Sequence, residues 1–295
     1  MGYSAYSAVN YSATKETLAK QTRQEIFQKH AHKSMDPSKV TTRECRDSDI
    51  HPETLPIIIA LDITGSMGII PEKIIKGGLG IIIETLMERG VLHPSILFLA
   101  IGDHLYDPSP LQIGQFESGD KELVKWLSNT WIVGRGGGNQ KESYQLAWET
   151  AAYHTVTDAM EKRGRKGILI TIGDEGILES DDASLRLFAT RPLGEVPSLP
   201  SLLKTVQEKW EVYHIHANDA SFPVGSWPGD SIFSQWTGLI GENVWVVEKN
   251  DNIPMTIVDI VLGSMKNYDN QHSHYTTKTD SADSDHDELT DMHLL

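Results

Sequence analysis

The chain has 295 residues, 39% of them hydrophobic and 23% charged, a composition within the range of soluble globular proteins. Its 41 acidic and 26 basic residues give a net charge of -15, which argues against a phosphate-binding surface and so against nucleic acid as a partner. The single cysteine, Cys45, excludes an intramolecular disulfide, and no apolar run reaches the roughly 18 residues of a membrane span.

The first 36 residues are polar and Tyr/Ser-rich, with no apolar stretch of the kind that opens a secretory signal. Tyr6 stands where a myristoylation pattern requires Ser or Thr. With the lone cysteine, this predicts a cytoplasmic protein without a membrane partner. Residues 14–30 suit a helix with a sparse apolar face (Leu18, Ile26, Phe27), so residues 1–36 read as an arm, free or docked.

From residue 37 to residue 267 apolar runs alternate with helical patterns. "PIIIAL" is a strand, "PEKIIKGGLGIIIETLMERG" a helix and "SILFLAI" a second strand. "PLQIGQFE" alternates as a short edge strand would, and "KELVKWLSN" is a short helix. "KESYQLAWETAAYHTVTDAMEKRG" reads as one long helix, "KGILITI" as a strand and "PSLPSLLKTVQEK" as a helix. "WEVYHIHA" is a strand, "SFPVGSWPGDSIFSQW" a loop-like insertion, "NVWVVE" a strand and "NIPMTIVDIVLGSM" a closing helix. Strands apolar on both faces and alternating with helices predict a doubly wound, mostly parallel sheet with helices on both sides. Residues 268–295 hold seven acids against one lysine and almost no aliphatics, which predicts an acidic disordered tail.

Ligands of such sheets bind beyond the carboxyl ends of the strands. "LDITGSMG" places Asp62, Thr64 and Ser66 at one such end, in a turn tightened by glycines. A carboxylate and two hydroxyls are hard oxygen donors suited to Mg2+, with Mn2+ or Ca2+ as alternatives. "AIGDH" puts Asp103 after the second strand, and "TIGDEG" puts Asp174 and Glu175 after a later one. "GRGGGNQKES" brings Asn139, Glu142 and Ser143 to the mouth of a helix. Asp, Asn and Ser also cap helices and fill loops, and for Asp62 alone that reading competes.

"DITGSM" resembles the DxSxS signature of von Willebrand factor A domains, with Thr in place of the first Ser. "GGGNQKES" is similar to the GGG-(D/N)-x-x-E loops of bacterial members, and Asp174 in "TIGDEG" matches the third loop of the family's metal ion-dependent adhesion site. Together with "RECRDSDIHPETLPIIIALDITGSMG" and "AIGDHLYDPSPLQIGQFES", these segments are similar to a group of bacterial and phage proteins carrying this domain. The resemblance implies metal ligation by Asp62, Thr64, Ser66, Asn139 and Asp174, with Asp103, Glu142, Ser143 and Glu175 around them. It also implies a binding function without catalysis, in which an acidic group of a partner protein completes the coordination, and an AAA+ ATPase as a further candidate partner.

The rival reading is a hydrolase at the same strand end. "TGSMG" lies between a strand and a helix, as a G-x-S-x-G nucleophile does, but Thr64 replaces the first glycine. His214 and His216 are the available bases for Ser66, and two histidines alternating on a strand are more often packed. Metal-dependent hydrolysis by the carboxylates is the other form of this rival, and no general base stands out for it.

Overall fold

A computed structural model describes residues 4–134, 138–190 and 195–279, with side chains as far as residue 270. Its strands in chain order are β1 (Arg43–Cys45), β2 (Leu55–Asp62), β3 (Pro94–Ile101), β4 (Leu111–Ile113) and β5 (Lys141–Glu142). They continue with β6 (Thr155–Thr157), β7 (Gly167–Gly173), β8 (Gly176–Ile177), β9 (Trp210–Ala217) and β10 (Val244–Val247). Six of them form the central sheet in the order β10-β9-β7-β2-β3-β4, parallel throughout except for the antiparallel edge strand β4. The doubly wound α/β class expected from the sequence is the one found.

Each central strand alternates between two cores, as a period of two residues requires. Ile57, Ile59 and Leu61 of β2 face one core with Ile96, Phe98, Ile168, Ile170 and Ile172. Ile58 and Ala60 face the other with Leu97, Leu99, Leu169 and Val212. The first face is covered by α1 (Ala8–Lys20), α2 (Arg23–Ile26), α3 (Ile70–Lys73), α4 (Leu79–Glu88) and α5 (Asp120–Ser128), whose buried side chains join that core. On the second lie α6 (Gln145–Tyr153), α9 (Leu199–Val206) and α10 (Gly229–Ile240), which supply most of its core, while the short helices α7 (Asp158–Arg163) and α8 (Asp182–Leu185) follow β6 and β8 in the connections. The closing helix α11 (Ile253–Thr279) returns to the first face through Ile253, Ile257, Val258, Ile260 and Val261.

The arm is docked. Tyr11, Leu18, Ile26 and Phe27 are buried in the first core. The glycines of "KGGLG" allow close approach: a Cβ at Gly80 would collide with the Tyr11 ring, and one at Gly78 would press on Pro254 of α11.

Three expectations are corrected. The long helix over 141–164 breaks at His154, because Thr155–Thr157 pairs in parallel with Arg43–Cys45. Thr157 then accepts from Met160 N and caps a new helix. The segment "SFPVGSWPGDSIFSQW" is not all loop, since α10 begins at Gly229 and buries Ile232, Trp236 and Ile240 at four-residue spacing. Trp227 is 83% exposed, whereas Trp236 has no exposure. Finally, the closing helix runs past residue 267 to Thr279, with Tyr268 held by the Arg165 guanidinium over its ring and by a hydrogen bond to Arg163 O. Residues 280–295 of the expected tail, and residues 135–137 of the glycine-rich loop, lie outside the described residues.

Candidate metal centre

β2 and β7 lie side by side, and Asp62 and Asp174 follow their last shared rungs. After Asp62 the chain leaves the sheet in a turn closed by Gly68 N donating to Gly65 O, with Gly68 at a φ of +51°. Asp62 belongs by parity to the second face, so its carboxylate points toward the start of α6.

The four strand-end side chains that the sequence singles out form two hydrogen-bonded pairs, Asp62 with Thr64 and Ser66 with Asp174, whose hydroxyl oxygens face each other. Asp62 Oδ1 accepts from Thr64 N at 2.8 Å and from Thr64 Oγ1 at 2.6 Å. Thr64 Oγ1 and Ser66 Oγ are 3.2 Å apart. Ser66 Oγ donates to Asp174 Oδ1 at 2.7 Å, and Asp174 Oδ2 accepts from Ser221 N at 2.8 Å. Each hydroxyl has one proton. With both protons directed to carboxylates, Thr64 and Ser66 turn lone pairs toward one another and outward. That arrangement presents oxygen to a ligand, and it suits a cation.

The local charge agrees. Asp62, Glu142 and Asp174 have no exposed surface, and Glu175 has 7%. Burial, then Asp174, raises the Asp62 pKa. Burial, then Asp62, Asp174 and Asp103, pushes Glu175 up to about 8. Burial raises Asp174 as well, against the hydrogen bonds from Ser66 and Ser221. Glu142 is raised furthest, by burial and then by Asp62, Glu175, Asp103 and Asp107. Among the described residues, neither of its carboxylate oxygens has a hydrogen-bond partner. A buried carboxyl without a donor carries a large desolvation cost unless it is neutralised by a proton or a cation.

The second loop turns toward the loop after β3. Asn139 Nδ2 donates to Asp103 Oδ2 at 2.8 Å, and its Oδ1 accepts from Lys141 N at 3.2 Å. Asn139 makes no hydrogen bond to Asp62, Thr64, Ser66 or Asp174 among the described residues. Asp103 Oδ1 accepts from Leu105 N, and Asp103 N donates to Asp107 Oδ2. Ser143 is fully buried, and its Oγ meets both His104 N and His104 Nδ1 at 2.8 Å. Asn139, Asp103 and Ser143 thus form a polar network around the site, while Asp62, Thr64, Ser66 and Asp174 form its centre.

Two residues of the centre are not evident from the sequence. Tyr144 donates its phenol to Asp62 Oδ2 at 2.8 Å, and Ser221 holds Asp174 through its backbone. Gly173 carries a trace of the first contact, because a Cβ there would collide with the Tyr144 hydroxyl.

The residues fit a hard cation in type: every donor is oxygen, carboxylates are in excess, and Glu142 has both oxygens free of donors. Among the described residues no three His, Cys, Asp or Glu side chains are positioned to hold a metal ion by themselves. Any such ion would therefore rely on the Thr64 and Ser66 hydroxyls, on water and on an external group. Hydrolytic chemistry finds less support in the geometry. His214 stacks on Trp236 and its Nδ1 meets Thr171 Oγ1 at 2.9 Å, while His216 Nε2 meets Phe222 O. Neither hydrogen-bonds Ser66. Ser143, His104 and Asp181 line up as Ser, His and Asp, with 3.3 Å between His104 Nε2 and Asp181 Oδ1, but Ser143 has no exposed surface from which to attack a substrate.

No protein-family model matches the chain, and no curated protein does. Among solved structures, it is similar to the pilus adhesin SpaC from Lactobacillus rhamnosus GG, at 12% identity and a TM-score of 0.48 over 76% of this chain and 32% of the adhesin. It is similar to proximal thread matrix protein 1 from the mussel byssus, at 9% identity and a TM-score of 0.46 over 71% of this chain and 48% of that one. It is also similar to an aerotolerance-related membrane protein from Bacteroides fragilis, at 13% identity and a TM-score of 0.41 over 69% of this chain and 96% of that one. The chain thus spans about a third of the adhesin and half of the matrix protein. Among the described residues, no helix is long and apolar enough to cross a membrane.

Proposed function

We propose that the chain is a protein-binding module of the von Willebrand factor A type. Its ligand is an acidic group on a partner protein, received through a divalent cation at the carboxyl end of β2 and β7. The observation that supports this reading is the meeting of two pairs, Asp62–Thr64 and Ser66–Asp174, whose hydroxyl protons are taken up by the carboxylates and whose hydroxyl oxygens lie 3.2 Å apart.

Thr64 and Ser66 would hold the cation through their hydroxyl oxygens and Asp174 through its carboxylate, with Asp62 ordering the first two. A bound Mg2+ (or Mn2+ or Ca2+) supplies positive charge to an otherwise anionic pocket and so reverses its preference, from repelling a partner's carboxylate to attracting it. Ser221 fixes Asp174 from the loop after β9, so the two sides of the pocket come from different strand ends and are held by backbone. Nothing here breaks a bond, and the site works as a receptor. The resemblance to bacterial relatives makes an AAA+ ATPase a candidate companion and the cytoplasm the setting.

The test is affinity capture of partners from a bacterial lysate with and without EDTA, using wild type and Asp62→Ala. A set of proteins retained by wild type in Mg2+ and lost both in EDTA and in Asp62→Ala supports the reading. Capture indifferent to EDTA contradicts it.

A further inference from the structure

We infer that Tyr144 is the positioning residue of this centre: its phenol locks the Asp62 carboxylate in the orientation that turns the Thr64 and Ser66 lone pairs outward. The inference rests on the cation-site reading and adds to it a residue from outside the strand-end loops.

Tyr144 sits at the entry to α6, 82 positions beyond Asp62 in sequence, and is completely buried. Three features fix its ring. The rings of Trp236 and His214 meet it edge-on at 5.3 and 5.6 Å. The backbone of Gly173 leaves room for its hydroxyl where any side chain would collide. The hydroxyl has one acceptor, Asp62 Oδ2 at 2.8 Å. This is a built contact, since a tyrosine is buried with its polar end aimed at one carboxylate oxygen and space is reserved for it on the neighbouring strand.

The consequence follows from counting donors. A carboxylate can turn about its terminal torsion, which has broad minima. In Asp62 both oxygens are assigned: Oδ2 to Tyr144 and Oδ1 to the amide and hydroxyl of Thr64. The Thr64 proton is therefore drawn to one defined place. Ser66, 3.2 Å away, sends its own proton to Asp174. Without the phenol, no other described donor reaches Oδ2. The carboxylate is then held through Oδ1 alone and can pivot about it, so the direction of the Thr64 hydroxyl is less closely set. Partners of this kind, which orient the groups around a metal, typically change affinity by about 10–100-fold when removed.

The experiment is Mn2+ binding to the full chain by calorimetry, with the electron paramagnetic resonance spectrum of the bound ion, for wild type and Tyr144→Phe. Phenylalanine keeps the ring in its box and removes the donor. The expected result is a native far-ultraviolet spectrum, a Kd for Mn2+ raised about 10–100-fold, and a broadened spectrum of the bound ion. A purely structural tyrosine would leave the spectrum of the bound ion as in wild type. If wild type binds Mn2+ and Tyr144→Phe matches it in both affinity and spectrum, this inference falls while the cation site stands. If wild type takes up no Mn2+, the cation site falls and this inference with it. Should Tyr144→Phe not fold, 3-fluorotyrosine at position 144 replaces it. That group keeps the ring and hydroxyl and donates more strongly, so a tighter Kd is expected, and an unchanged one overturns the inference.

Discussion

The two ends of the central sheet both gather acidic side chains, and they treat them in opposite ways. At the amino end, before β2, Asp47 meets Arg163 at 2.6 Å, and Asp158 meets Lys162 at 2.7 Å and Arg46 at 2.8 Å. Burial opposes ionisation of Asp158, but hydrogen bonds from Lys162 and Arg46 overcome it and hold the pKa at about 2. Asp47 is likewise lowered, by Arg163 and Thr54 against its burial. At the carboxyl end, Asp62, Glu142 and Asp174 have no exposed surface and Glu175 is nearly buried, and the charges acting most strongly on Glu142 and Glu175 are other carboxylates. The first cluster is a completed ion network that ties α7 to the loop before β2. The second has its anionic half in place and would be completed by a cation. Acidic residues in a fold are therefore informative by their partners more than by their number.

That contrast can be broken by mutation. Asp47→Ala removes the acceptor of both Arg163 and Thr54 and should lower stability by about 2–3 kcal/mol, as expected for charge-assisted hydrogen bonds. Chemical denaturation at pH 7 measures it, and metal binding should be unaffected. A loss of Mn2+ affinity in this variant would mean that the two ends are coupled.

Glu142→Gln should do the reverse. The amide matches the neutral acid in shape and cannot ionise, so the metal-free protein should gain about 1 kcal/mol at pH 8. The sign also sets the pH dependence. Asp62, Glu142 and Glu175 have folded pKa values above their unfolded ones, so they hold protons in the folded state that the unfolded chain has released. Their contribution is complete below about pH 4, where both states are protonated. It declines as pH rises toward and beyond the value of about 8 for Glu175. Asp47 and Asp158 behave oppositely. Their contribution is present above about pH 4 and is lost as pH falls through the Asp158 value of about 2. Melting of the metal-stripped protein should therefore show a stability that falls from pH 5 to pH 9, with a shallower slope in Glu142→Gln. Equal slopes for the two proteins would remove Glu142 from the charge account.

The smallest expected effect lies away from both clusters. Tyr268→Ala loses the Arg165 contact over its ring, worth about 0.5–1 kcal/mol at a surface site. A thermal melt of this variant should move little, and Mn2+ binding should not change. A melt shifted as far as that of Asp47→Ala would show that the end of α11 is part of the core.

What could be read from the sequence follows the same physical divide between local and distant interactions. β2, β3 and β7 are buried on both faces and so appear as unbroken aliphatic runs. Asp62, Thr64 and Ser66 fall within five residues of one strand end, and Asp174 stands directly after another, which is why they could be chosen together. The break at His154 was hidden because it depends on pairing with Arg43–Cys45, more than a hundred residues earlier. α10 was hidden because its apolar positions Ile232, Trp236 and Ile240 follow a stretch rich in Gly and Pro. The Asn139 amide bonds Asp103, a contact that no local rule specifies. Tyr144 looked like one more residue in a helix. Its role appears only when the start of α6 is set against the end of β2.

The central claim is that the carboxyl end of β2 and β7 holds a divalent cation, and titration calorimetry with Mn2+ on metal-stripped protein tests it most directly. Wild type should bind one ion per chain, Ser66→Ala should bind more weakly while keeping a native far-ultraviolet spectrum, and the Asp62→Ala/Asp174→Ala double variant should give no binding heat. Heats for the double variant equal to those of wild type would contradict the account.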